Sequence, residues 1–146
     1  MENTINQEES SGYLLYNLTT ILQRKMKREL DKLSITHMQF VLLATIQKLS
    51  NRNKTISQIQ IANESKTDKM MVSKVLRTLQ TKEFITRNEH QTDTRTKTIE
   101  LTKNGEILFE KAFVIVKQVE KNFFQYIESH KIEFNENLKT LISQNQ

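Results

Sequence analysis

The stretch from Thr67 to Lys97 leaves the rest of the chain little freedom. Val72, Val75, Leu76 and Leu79 recur at three- and four-residue steps, the spacing of one apolar helix face. Lys69, Ser73, Lys74 and Arg77 fall on the opposite face, with Met70 beside them. Thr67 and Asp68 both suit the N-cap position, so the helix is expected to begin there. Two short β-type runs follow, Phe84 to Arg87 and Thr98 to Leu101, and the loop between them carries Arg95 and Lys97. A helix is thus followed at once by a basic hairpin.

Charge is concentrated in the same place. Eight basic residues lie between Lys66 and Lys97 against four acidic ones, which accounts for +4 of the chain's net +5. A positive patch confined to one helix and one hairpin is the footprint of a protein that meets nucleic acid. An ordinary solvated lysine face would carry similar charge, so the order of the flanking elements has to decide.

Upstream, Leu14, Leu18, Ile21, Leu22, Met26, Leu30 and Leu33 predict a first helix over about 12–32, with Lys25, Lys27 and Arg28 toward solvent. Thr36 and Gln39 form a capping box that opens a second helix. After the polar loop 50–54, Thr55 and Ile56 are expected to form a short strand. Ser57 and Gln60 form another capping box, which opens a short third helix ending near Glu64. A short helix, a tight turn and a longer amphipathic helix make a helix-turn-helix, and the hairpin makes it winged. A plain helical bundle does not account for the two β runs and their basic tip.

Downstream, Thr102 is expected to cap a long helix reaching about Ser129. Leu108, Ala112, Ile115, Val119, Phe123 and Ile127 form one stripe; Phe109, Phe113, Val116, Phe124 and Tyr126 form a second. A helix apolar over so much of its circumference must be covered from two sides. A last helix from about Glu133 carries Phe134, Leu138, Leu141 and Ile142. Packing within one protomer would use some of this surface; a two-fold dimer, the commonest symmetric assembly, would use all of it. The expected fold class is therefore mainly α (α+β): a winged helix-turn-helix over 36–101, between dimerisation helices at 12–33 and 103–146, in a single domain.

Other classes find no support. No run of apolar residues is long enough to span a membrane. Met1 to Ser11 lacks the basic start and apolar stretch of a secretion signal, so the cytoplasm is the expected location. There is no cysteine for a disulfide, a thiolate metal site or a thiol switch. No glycine-rich phosphate loop or nucleophile motif suggests an enzyme. His37, His90 and His130 stand far apart, without metal-ligand spacing, and read as surface histidines. No cofactor or metal is expected.

Taken in order, Thr36-x-x-Gln39-Phe40, Ile59-x-x-Ala62, Ser73-Lys74-Val75-Leu76-Arg77-x-Leu79, the wing Asp93-x-Arg95 and Leu101-Thr102-x-x-Gly105 resemble the MarR family. The resemblance covers about 12–145, and its most specific part is Asp-x-Arg followed closely by Leu-Thr-x-x-Gly. It implies a homodimer that binds pseudo-palindromic double-stranded operator DNA, released in many members by a small-molecule effector. It places Lys69, Met70, Ser73, Lys74 and Arg77 in the major groove, with Lys74 and Arg77 suited to guanine and Met70 to a thymine methyl. Thr67 and Asp68 open that helix, whose N-terminus suits phosphate. Ser57 and Gln58 are placed against phosphates, and Arg87 and Lys97 on the DNA side of the hairpin. Arg95 is placed in the minor groove, and Asp93 is expected to orient an arginine. Lys82 reads as a solvated lysine. An effector pocket would draw on Tyr13, Tyr16, Met38, Phe109 and Phe113, which also read as ordinary core. The competing reading is a winged-helix module for protein–protein contact that has lost DNA binding; the retained basic face argues against it. In one place the chain departs from the family. Glu83 stands where glycine is usual, and a left-handed conformation there would cost on the order of 1 kcal/mol.

Overall fold

The computed structural model describes residues 6–89 and 97–146. Six α-helices and one hairpin follow in the order α1 (Ser11–Leu30), α2 (His37–Ser50), α3 (Gln58–Ser65), α4 (Lys69–Thr81), β1 (Ile85–Glu89), β2 (Lys97–Leu101), α5 (Lys103–Phe124) and α6 (Lys131–Gln144). Short 3-10 turns lie at Gln7–Glu9, Asp31–Leu33 and Gln125–His130. The strands pair antiparallel, with Ile85 opposite Leu101 and Arg87 opposite Ile99.

The helix starts use the capping chemistry read from the sequence. Thr36 Oγ1 accepts from the Gln39 N–H at 3.1 Å, and Gln39 Oε1 accepts from the Thr36 N–H at 3.1 Å. Ser57 and Gln60 do the same at 3.2 and 2.8 Å. Of the two cap candidates before α4, Asp68 takes the position and accepts from the Met71 N–H at 3.0 Å. Thr67 instead donates to the Ser65 carbonyl at 3.2 Å.

The helix ends are less ordinary. Ser34, Lys66 and Glu83 all have positive φ, at 56°, 53° and 64°. At each the next N–H reaches back to a carbonyl five residues earlier: Ile35 to Leu30, Thr67 to Ala62, and Phe84 to Leu79. That is the Schellman ending, which usually takes glycine at the left-handed position. Here three L-residues bear the strain. Both glycines are used elsewhere, and for Gly105 the reason is contact. A Cβ there would lie 2.0 Å from the Phe84 carbonyl oxygen. The first turn of α5 packs directly on the chain entering the wing, where Thr102 Oγ1 also donates to the Glu83 carbonyl at 2.7 Å.

The core lies around α2, which packs on α1, α3, α4, α5 and β2. Leu42, Leu43 and Ile46 of α2 are fully buried, as are Ile61 of α3, Val72, Leu76 and Leu79 of α4, and Ile99 of β2. Burying side chains of this size contributes roughly 1.5–3 kcal/mol each, so the winged unit is held by its own interior.

Three expectations about element bounds need correction. Thr55 and Ile56 form no strand, because the Ser57 cap already commits the backbone to α3. What remains is a single bridge from Ser57 to Thr98, with the Ile56 carbonyl accepting from the Ile99 N–H at 2.8 Å. Lys97 is not in the hairpin loop; it heads β2 opposite Glu89. And α5 ends at Phe124 rather than near Ser129, with α6 already under way at Lys131. Ile127 (φ −122°, ψ 24°) breaks the helix. There Phe123 packs edge-on against Phe124, and Phe124 against Phe134 of α6.

The terminal helices are only partly covered. In α1 only Met26 and Leu30 are buried, and α6 buries none of its residues. Leu14, Leu15, Val114, Ile132, Leu141 and Ile142 are all about half exposed or more.

Candidate nucleic-acid interface

The turn between α3 and α4 fixes how the second helix is presented. Lys66 in the left-handed region, Thr67 and the Asp68 cap are the only three residues between the helices. The apolar stripe of α4 is buried as expected, with Val72, Leu76 and Leu79 fully so and Val75 nearly so. The other face is therefore forced outward. Lys69, Lys74 and Arg77 are exposed, Ser73 is half-buried, and Met70 is 82% exposed. A methionine so bare at the start of a cationic helix gains nothing from solvent. Ile59 of α3, 60% exposed, is a second apolar side chain that the core does not use. Nothing in its sequence neighbourhood marked Ile59, since its spacing alone suits an inward position.

The wing stands beside this helix. Arg87 of β1 is half-buried and donates from Nη1 to Gln58 Oε1 of α3 at 3.5 Å, a long bond at the limit of hydrogen bonding. Its Nε is buried without a partner. Burial lowers the pKa of this guanidinium, and the nearby charge of Arg77 lowers it further. Ser57, Gln58, Arg77 and Arg87 are thus brought together where α3, α4 and β1 meet. Arg95 and Asp93, expected at the hairpin tip, lie outside the described residues. Lys82 is not simply solvated: its Nζ donates to the Ser34 carbonyl at 3.1 Å, which ties the end of α4 to the turn before α2.

The five residues suggested for an effector pocket are dispersed. Phe109 and Phe113 of α5 pack together, with ring centroids 5.7 Å apart, and Phe109 stacks on Phe40 at 6.0 Å. Lys117 Nζ lies 5.3 Å from the Phe113 ring centre. His37 continues this row, stacked on Phe40 at 6.3 Å. Burial there holds its imidazole below the usual histidine range, partly offset by the charge of Glu120. Met38 lies instead by Thr67, with Sδ 4.0 Å from Oγ1. Tyr13 and Tyr16 are exposed on α1. A cavity of about 890 Å³ lies between α1 and the end of α5, lined by Leu18, Lys25, Val119, Phe123 and Phe134 among others. None of the five contributes to its lining. Among the described residues no group of histidine and carboxylate side chains could hold a metal ion, and no helix is long and apolar enough to cross a membrane.

Comparison with known proteins places this geometry. The profile of the ArnR1-like, winged-helix domain family matches residues 31–120. An HTH-type transcriptional regulator of Bacillus subtilis (strain 168), YdcH, is 37% identical over 115 residues, 79% of this chain and 78% of its own length. The structure of Staphylococcus aureus MepR in complex with DNA superimposes with a TM-score of 0.84 at 26% identity, covering 92% of this chain and 98% of that one. A mutant of MarR from E. coli complexed with operator DNA shares the fold with a TM-score of 0.81 at 19% identity, covering 97% and 99%.

Proposed function

The chain belongs to the MarR family of transcriptional regulators, with an ArnR1-like winged-helix domain at its centre, and on that footing we propose that it is a cytoplasmic repressor that binds pseudo-palindromic operator DNA as a homodimer. The observation that carries this reading is the division of α4. One face is fully committed to the core, and the other holds Lys69, Met70, Lys74 and Arg77 out of it. A recognition helix needs that division, since its outward side chains must meet base edges that carry hydrogen-bond patterns and thymine methyls. Lys69, Met70, Ser73 and Lys74 on the first turns take bases. Ser57 and Gln58 at the start of α3, Thr67 and Asp68 at the start of α4, and Lys97 of β2 border the backbone, and Arg95 enters the minor groove from the wing.

The dimer reading rests on the apolar residues that α1, α5 and α6 leave exposed. A small-molecule effector, bound where the terminal helices meet the winged unit and beside Phe109 and Phe113, releases the operator. The half-exposed aromatic row of α5 supports that placement. Selection of bound sequences from random duplex DNA tests the proposal. A two-fold symmetric motif is expected. Enrichment of no motif would favour a winged-helix module that contacts protein instead.

A further inference from the structure

Two guanidinium groups from different elements lie within electrostatic reach of each other, and one of them, Arg87, is bonded to Gln58 of α3. Arg77 projects from the third turn of α4, and Arg87 rises from β1, half-buried, with its Nε buried and unpartnered. Among the described residues no carboxylate pairs with either. The one group bonded to Arg87 is the neutral Gln58 amide oxygen, at 3.5 Å. Like charges held close and partly out of water raise the free energy of the free protein. Such an arrangement is satisfied by an anion with several oxygen acceptors, and paired guanidinium forks match a phosphate group in shape and charge.

Position on the helix decides which phosphate. Arg77 lies eight residues beyond Lys69, about 12 Å further along the helix axis. Helices of this type read bases with their N-terminal residues, and the major groove is about 12 Å wide. A residue that far along sits at the lip of the groove, where the backbone runs. Arg87, on the wing side, approaches the same lip from a separate element.

We propose that Arg77 and Arg87, steadied by Gln58, form a clamp for a single phosphodiester of the DNA backbone, so that Arg77 positions the protein and does not read a base. This rests on the DNA-binding reading above and revises the guanine contact expected for Arg77. The clamp spans the helix-turn-helix and the wing, so a bound phosphate fixes the angle between them.

The test compares wild type with Arg77→Gln, Arg87→Gln, the double variant and Arg87→Lys, each titrated against operator and scrambled duplexes at several salt concentrations. Each Gln variant should weaken both duplexes by the same factor, about tenfold or more. The ratio between duplexes should stay at its wild-type value. The slope of log K against log salt should fall by about 0.9 for each phosphate that the variant no longer neutralises, counted twice in a dimer. The double variant should bind little worse than the weaker single variant, because both residues hold one phosphate. Arg87→Lys should restore the slope. Arg77→Gln is exposed and should melt at or above the wild-type temperature, which separates binding from folding. Inorganic phosphate at millimolar concentration and constant ionic strength should not compete with DNA; if it does, the pair is a free-anion site and the proposal fails. It fails equally if Arg77→Gln changes the operator-to-scrambled ratio with the slope intact. Wild-type protein with no affinity for any duplex would remove the DNA-binding reading itself, a separate outcome.

Discussion

Glu83 shows how much a single backbone position can be overruled. Its φ of 64° is a conformation that favours glycine, yet the turn keeps its two Schellman hydrogen bonds, Glu83 N–H to Gln80 and Phe84 N–H to Leu79. The departure from the family pattern was legible in the sequence; its outcome was not, because whether the turn or the residue yields depends on the packing of Gly105 against Phe84. Glu83→Gly should therefore stabilise the protein by about 1 kcal/mol in denaturant titration. Gly105→Ala should do the opposite, costing at least about 3 kcal/mol, since the Phe84 backbone cannot give way. His37 supplies a pH dependence. Its folded pKa lies below the unfolded value of 6.5, mainly because one side of the exposed ring loses water where it stacks on Phe40. The folded state thus favours the neutral ring, and the stability this gives is intact above about pH 6.5 and lost as pH falls through the lower folded value. Melting temperature should drop between pH 7 and pH 5, and His37→Gln should flatten that drop.

At the scale of elements, capping residues and apolar spacing located every helix, because both are local signals that tertiary packing then reinforced. Thr55 and Ile56 have strand composition but give way to the adjacent cap at Ser57. The other errors fall where distant contacts decide. The end of α5 is set by Phe134, which meets Phe124 from the next helix. Lys97 belongs to a strand whose partner, Glu89, no local pattern fixed. The candidate site was legible on α4, where amphipathicity separates the two faces; Arg87 was placed on the DNA side from the sequence, but its link to Gln58, 29 residues away, was not legible. On α4 the Lys74 side chain leaves the core free to change. Lys74→Ala should lower the operator-to-scrambled binding ratio, by about 1–3 kcal/mol if the contact to guanine is bidentate, with thermal stability unchanged.

The whole molecule has one core, which joins the winged unit to the inner faces of α1 and α5 and leaves α6 outside it. The proposed dimer covers apolar surface that α1, α5 and α6 leave exposed. Light scattering at micromolar concentration should return twice the 17.3 kDa chain mass. Ending the chain at Lys131 should abolish dimerisation or solubility, because it removes Leu138, Leu141 and Ile142 together; a soluble dimer from the shortened chain would show that α6 is dispensable. In the proposed dimer, the pairing of two α4 helices would turn a basic face into a reader of symmetric sequence. DNase footprinting on the selected operator examines it most directly. One protected site is expected, with two half-sites centred about 10 base pairs apart, each lost in step with the other on dilution of the protein. Protection of a single unpaired half-site, or equal protection of random DNA, would contradict it.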